Sequence, residues 1–484
     1  MGFKPTIGLE IHAELKTKTK MFCSCLNDPL ERHPNVNICP ICLGHPGTLP
    51  VANKEAIGHV LRLGAALGAE LADESRFDRK NYFYPDLPKG YQISQYQHPL
   101  VKEGILEFPF SGKKVRITRV HLEEDAARSV HDPKVKATLV DFNRAGVPLM
   151  ELVTEPDMAS AQEAREFAEE LQLILRYLGI SDADMDKGQM RVEANISVSA
   201  DSRLGTKVEV KNINSFRAAE KAIEYEIKRQ SKLLEKGEKV KQETRGWNDV
   251  EEKTVSQRSK EEAHDYRYFP EPDLPPLKIS EVPEFSQEIL KAKLPELPSQ
   301  KRIRFKKEYG VDGEKLDIFV RDKKLSGFFE AAVSEAQKWA SEVEPKKIVE
   351  LAVNYITSDL SGLLREKELL VEEIRITPEN FGELMKMAAK GEVSSRGAKD
   401  ILRVMVETGE DPSTIAEKEN LLQISDPKVL EEIVRRVMSQ NQNVVADFKK
   451  GKLKAKLFLI GQVMKEAKGA NPRVVSDILT RSLV

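Results

Sequence analysis

The sequence predicts an α+β protein: an N-terminal domain on a mixed or antiparallel sheet, followed by an all-helical C-terminal half. Three observations predict it. Up to about residue 270, short runs with the two-residue period of a half-buried strand are interspersed with amphipathic helices. Seven of the chain's 25 prolines then fall between Pro270 and Pro298, a density that regular structure does not tolerate. Beyond them the apolar period is helical almost throughout. The expected divisions are 1–294, 295–405 and 406–484. Apolar residues make up 40% and charged residues 32%, the balance of a globular chain able to bury several cores.

The strands carry an unusual polar face. In Thr6–Leu15, Ile7, Leu9, Ile11, Ala13 and Leu15 alternate with Glu10, His12 and Glu14. In the run from Met190 to Val198, apolar residues alternate with Arg191, Glu193, Asn195 and Ser197. In Thr206–Lys211, Val208 and Val210 alternate with Lys207, Glu209 and Lys211. Val147–Val153 sets Glu151 alone in an apolar run, where an unpaired carboxylate needs a metal, a cation or a proton. In the strand from Val115 to Asp125, alternation about Val120 and Leu122 places Arg119, His121 and Glu123 on the polar face. If these strands are neighbours, their polar faces form an acidic pocket suited to Mg²⁺ and phosphate chemistry. A solvated sheet face accounts for Glu14 and Lys207 equally well, but not for Glu151.

Helix boundaries follow local chemistry. Ser160 to Glu163 reads as a capping box, and Gly179 supplies the stop. A second helix starts near Ser215 and ends before Gly237. Asp426-Pro427 opens a helix in the C-terminal half, and Gly469 to Pro472 separates the last two.

All four cysteines lie within twenty residues, as Cys23, Cys25, Cys39 and Cys42, the spacing of a closed structural Zn²⁺ site; the alternative is four free thiols. Net charge is −2, so bulk charge does not hold nucleic acid. From Arg435 onward, however, eleven Lys/Arg face three Asp/Glu, with Lys449, Lys450, Lys452, Lys454 and Lys456 in one run. That excess suits phosphate contact, or a solvated helix face. No apolar run approaches a membrane span and no signal peptide opens the chain, so a cytoplasmic location is expected. Neither a Walker loop nor a G-x-S-x-G elbow is present, so no hydrolytic nucleophile is visible.

Longer strings carry a resemblance. They are Ile7 to His12, Arg79 to Asp86, Tyr91 to Gln95, His121 to Ala126, Glu209 to Phe216, Asp265 to Asp273, Gly461 to Met464 and Ala470 to Pro472. With these, the chain closely resembles, over essentially its whole length, the B-subunit family of the tRNA-dependent aspartyl/glutamyl amidotransferases. The resemblance implies a ligase that converts Glu-tRNA(Gln), Asp-tRNA(Asn) or both to the amide forms. ATP and Mg²⁺ would serve to phosphorylate the side-chain carboxylate, and ammonia would displace the phosphate. An amidase-like A subunit would supply the ammonia, and a small C subunit would complete a heterotrimer. Carried over by position, Glu10, His12, Glu124 and Glu151 look like the ATP and Mg²⁺ pocket within a catalytic cradle domain. Glu193, Glu209 and Lys211 would continue it, with Lys211 a phosphate contact, and the basic tail would hold tRNA. Alternation favours Glu123 where the resemblance favours Glu124. Ala127-Arg128 stands where the family often has glycine and lysine, and Glu193 where aspartate is common. The competing reading is a zinc-stapled tRNA-binding scaffold without catalysis of its own.

Overall fold

The computed structural model describes residues 2–109, 111–132, 136–201, 203–259, 266–339, 342–423, 427–449, 452–467 and 469–482. Asp265, Asp426 and Lys450, singled out above, lie outside the described residues. The chain divides into two compact units, 1–299 and 300–484.

The first unit is organised by one twelve-stranded sheet. Its strands in chain order are β1 (Lys4–Glu14), β2 (Glu70–Leu71), β3 (Asp78–Asn81), β4 (Tyr91–Ser94), β5 (Val101–Glu107), β6 (Lys114–Glu124), β7 (Pro148–Thr154), β8 (Met190–Ser199), β9 (Val208–Ile213), β10 (Glu243–Asn248), β11 (Lys253–Ser259) and β12 (Phe269–Pro270). They lie in the order β11-β10-β9-β8-β1-β7-β6-β4-β3-β12, with β5 also on β6 and β2 on β5. All recorded pairings are antiparallel except β9 with β10, which makes the sheet mixed. The five strands with charged polar faces are therefore consecutive neighbours, β6-β7-β1-β8-β9.

Alternation fixes which face is covered. Ile7, Leu9 and Ile11 of β1, Met150 and Leu152 of β7, Val120 and Leu122 of β6, and Val192 and Ala194 of β8 join one buried core. Helices α1 (Lys54–Ala66), α2 (Ala161–Leu178) and α3 (Phe216–Glu235) pack on this side, contributing Val60, Phe167, Leu171 and Ile223. Ser160 Oγ accepts the Glu163 N–H at 3.1 Å, and Gly179 takes the left-handed φ of 67° that ends α2. Ser215 Oγ likewise caps α3 by accepting the Ala218 N–H. The proline-rich stretch is less irregular than its composition suggests. Ser286 caps a short helix, Gln287–Ala292, between the prolines.

Among the described residues, the second unit has helices and no named strand. The helix Ser395–Thr408 runs through the position at which a division near 405 was expected. A separate core begins later, where Leu430, Val434, Leu459, Val463, Val475 and Leu479 join three of the last four helices. Among the described residues, no helix is long and apolar enough to cross a membrane.

One buried group sets a stability trend. His59 on α1 is 4% exposed, and burial, with Arg62 nearby, lowers its pKa to about 4. The unfolded chain thus binds a proton between about pH 6.5 and 4 that the folded chain refuses. Stability attributable to this group is intact above pH 6.5 and falls by roughly 3 kcal/mol as pH drops to 4. Denaturant midpoints at pH 7 and 4.5 should show a steeper loss for wild type than for His59→Gln; equal losses would contradict the assignment.

Candidate active site

Register builds the site across four strands. His12 of β1 lies opposite Glu151 of β7 on one side and Arg191 of β8 on the other. Glu151 in turn lies opposite His121 of β6, and Glu10 opposite Glu193. Because paired residues in an antiparallel ladder share a face, these side chains form one polar surface on the side away from the helices.

The groups approach one another closely. His12 Nε2 lies 3.4 Å from Glu123 Oε1 and 3.5 Å from Glu151 Oε2. Arg119 Nη2 donates to Glu151 Oε1 at 3.2 Å, and His121 Nε2 stands 3.7 Å from Glu151 Oε2. Three sets of potential ligand atoms each lie within 4.8 Å of one another: Glu10, His12 and Glu151; His121, Glu123 and Glu151; and Glu10, Glu193 and Glu209. Lys211 Nζ donates to Glu193 Oε2 at 2.6 Å and lies 3.5 Å from Glu209 Oε1, so it is the counter-ion of this continuation.

Electrostatics explains why such a face is tolerated. Burial opposes ionisation of Glu151, but His121, His12 and Arg119 outweigh it and hold the carboxyl well below its usual range. Burial also disfavours a charged His12, yet Glu123 and Glu151 push it up to about 10. Glu10 is raised to about 7 by burial and by the charges of Glu151 and Glu193. Like charge therefore crowds Glu10, and the carboxylate oxygens of Glu151 and Glu193 stand beside it. This donor set fits a hard divalent cation such as Mg²⁺, with the imidazole of His12 the less usual neighbour.

Glu124 is elsewhere. It pairs with Pro148 in register, which puts it with Leu122 and Met150 on the helix-facing side. There it accepts the Ile93 N–H at 3.0 Å and forms a buried ion pair with Lys89. Glu123 takes the place in the pocket, so alternation is the better guide at this point. Glu14 also leaves the cation-binding groups. Buried beside Asp125, it is raised to about 8 by burial and that neighbour, while Arg191 Nη2 donates to Asp125 Oδ1 at 2.8 Å.

A wall of Tyr82, Tyr96, Tyr266 and Tyr268, with Lys80 and Arg119, escapes a strand-by-strand reading. Tyr96 and Tyr268 stack at 5.6 Å, Lys80 Nζ stands 5.0 Å from the Tyr266 ring, and the Arg119 guanidinium lies 4.3 Å from the Tyr96 ring. Between Tyr266 and Tyr268, Arg267 has a left-handed φ of 42°, a strained conformation that outside contacts must hold. They are visible: Asn81 Nδ2 donates to Arg267 O at 2.8 Å, and Arg79 makes a bidentate pair with Glu271 at 2.7 and 2.8 Å. The strings Arg79 to Asp86 and Tyr266 to Asp273, which lie far apart in sequence, were the available signal.

The four cysteine sulfurs also lie within 4.8 Å of one another. A tetrahedron with Zn–S bonds of about 2.3 Å has edges of about 3.8 Å, so the set fits one zinc ion with no open coordination position. The hydrogen bond between Cys23 and Cys42 lowers the Cys42 thiol to about 5 and pushes Cys23 up, so the two share one proton that a bound ion would displace. In the tail, Lys449, Lys452 and Lys454 are exposed, whereas Lys456 is half-buried and donates to Thr480 Oγ1 at 2.9 Å.

Comparison with known proteins agrees over both units. Residues 5–283 match the family model described as the GatB/GatE catalytic domain, and residues 328–483 match that of the GatB domain. The chain is 48% identical over 492 residues to the B subunit of the aspartyl/glutamyl-tRNA(Asn/Gln) amidotransferase of Thermotoga petrophila, covering 100% of this chain and 99% of that one. It is 46% identical over 488 residues to proteins of the same name from Thermoanaerobacter pseudethanolicus and Persephonella marina, each covered in full, as is this chain.

Proposed function

The chain belongs to the B-subunit family of the aspartyl/glutamyl-tRNA amidotransferases, and on that premise we propose that its acidic sheet face activates the side-chain carboxylate of misacylated Glu-tRNA(Gln), Asp-tRNA(Asn) or both. The observation that carries the reading is the convergence of Glu10, His12, Glu123 and Glu151 on one face. A carboxylate is a poor acyl donor until one oxygen becomes a leaving group. Transfer of the γ-phosphoryl group of ATP forms a bond to that oxygen and breaks the β–γ bridge, leaving ADP. Ammonia then forms the C–N bond as the C–O bond breaks, releasing phosphate and a proton. Mg²⁺, when bound, would offset the repulsion between triphosphate and carboxylate.

The chain's own residues prepare this step. Glu151 would hold the cation with Glu10 or with Glu123, the two sets it joins, and Arg119 and His12 orient Glu151 through the contacts described above. Lys80 and Lys211 supply positive charge on opposite sides of the face, and Lys211 is the candidate for phosphate contact. Ammonia would come from an amidase-like A subunit, with a small C subunit completing the complex in the cytoplasm. A scaffold that only bound tRNA would leave the buried carboxylates without a task.

The direct test is chemical trapping. The complex is incubated with ATP and Glu-tRNA(Gln), without glutamine or ammonia, and quenched with hydroxylamine. ATP-dependent γ-hydroxamate on the tRNA is expected. Bound tRNA that yields none would favour the scaffold. The tail makes a separate prediction, since Lys449, Lys452 and Lys454 are exposed, Lys452 with Asp447 as its ion-pair partner at 2.9 Å. Replacing all three by Gln should weaken tRNA binding and reduce the slope of log K against log salt by about one for each phosphate left unneutralised. An unchanged slope would remove the tail from the tRNA interface.

A further inference from the structure

Lysine is rarely buried without a carboxylate partner, because removing an ammonium from water costs several kcal/mol. Lys20 is 0% exposed and is one of the largest fully buried side chains among the described residues. Its ammonium donates to Cys42 Sγ at 3.9 Å and to the Phe142 carbonyl at 3.2 Å. Among the described residues no carboxylate pairs with it. Its compensating charge must therefore be sought among the cysteines.

The surroundings show what this amine connects. The turn before β7 is laced to the cysteine-bearing segment by several bonds. Phe142 N–H donates to Asn35 Oδ1 at 2.8 Å, and Asn143 Oδ1 accepts the N–H groups of Val36 and Asn37 at 2.9 Å each. Met21 N–H donates to Gly146 O at 2.8 Å. Gly146, at φ 83°, sits where an added Cβ would lie 3.5 Å from Cys42 Cβ and 3.7 Å from Lys20 Cδ. Two residues later β7 begins, and it carries Glu151.

We propose that Lys20 is a positioning residue of the tetrathiolate centre, its buried ammonium offsetting thiolate charge while its hydrogen bond to Phe142 ties that centre to the turn entering β7. The inference rests on the reading of the four cysteines as a zinc site. Four thiolates outnumber the two charges of the ion, so the centre is an anion, half-buried overall, with Cys42 its buried member. An adjacent cation lowers the energy of that anion, and an N–H donor to sulfur withdraws charge from the metal bond.

The test uses the full-length chain and two variants. Lys20→Met keeps most of the side-chain volume and removes charge and donor; Lys20→Gln removes the charge and keeps an N–H donor on a side chain one atom shorter. Three quantities are measured: zinc content per chain, the rate of zinc transfer to a chromogenic chelator, and the sulfur-to-metal charge-transfer band after Co²⁺ substitution. Wild type should hold one zinc, and both variants should release it on the order of tenfold faster or more. Their Co²⁺ band should move to lower energy, a change that loss of packing alone does not cause. If wild type holds zinc and both variants match it in rate and band, the proposal is wrong and the zinc reading stands. If wild type holds no zinc and gives no thiolate band with Co²⁺, the zinc reading itself fails and the proposal goes with it.

Discussion

Glu151→Gln, assayed in the assembled complex, is expected to reduce kcat/KM for amidation by roughly a hundred- to a thousand-fold, the effect of removing one preorganised charge from a site of charge development. Glu151 is the only described residue belonging to both the Glu10–His12 and the His121–Glu123 ligand sets. The amide keeps the volume but loses the charge that holds His12 protonated and anchors Arg119. Binding of tRNA, which the proposal assigns to the tail, should be unchanged within about twofold, and so should glutamine hydrolysis. ADP formation with Glu-tRNA(Gln) is the quantity to follow. Wild-type ADP formation by the variant would make Glu151 a structural residue and move the site.

The second large effect separates two adjacent carboxylates. Glu123→Gln should lower amidation to a degree comparable with Glu151→Gln, because Glu123 faces His12 at 3.4 Å. Glu124→Gln should instead act on stability, at about 3 kcal/mol, since it strands the Lys89 ammonium in a site where both side chains are almost wholly buried. Urea midpoints and kcat/KM, corrected for folded fraction, give two readouts for each variant. An activity loss larger for Glu124→Gln than for Glu123→Gln would show that the register does not decide which carboxylate reaches the substrate.

That pair also shows how far the sequence can be read. Alternation in β1 and β8 was enough to place Glu10, His12 and Glu193 on one face, because those strands are regular over their whole length. It was enough to turn Glu123 toward His12, whereas Glu124, which the resemblance favours, faces the helices. Glu124 sits at the last position of β6, where apolar neighbours no longer bracket the pattern. The capping residues Ser160 and Ser215 were legible because a cap is a local interaction. The tyrosine wall was not, because Tyr82 and Tyr266 meet only through the pairing of β3 with β12, which are remote in sequence. The approach of Lys20 to sulfur was invisible for the same reason: a lysine beside a strand end reads as solvent-exposed until the fold closes over it.

The place of β1 in the sheet has a consequence for how the protein is made. Of the described strands the first in chain order is an interior one, and both its partners come late: β7 at Pro148–Thr154 and β8 at Met190–Ser199. At the usual rate of synthesis, roughly ten to thirty seconds pass before either edge of β1 can be paired. During that interval an apolar strand is exposed with nothing to cover it. Its charged alternate positions, Glu10, His12 and Glu14, discourage pairing with copies of itself on neighbouring nascent chains. Substitutions that make those positions apolar would thus be felt first as aggregation during translation, before any effect on turnover could be measured.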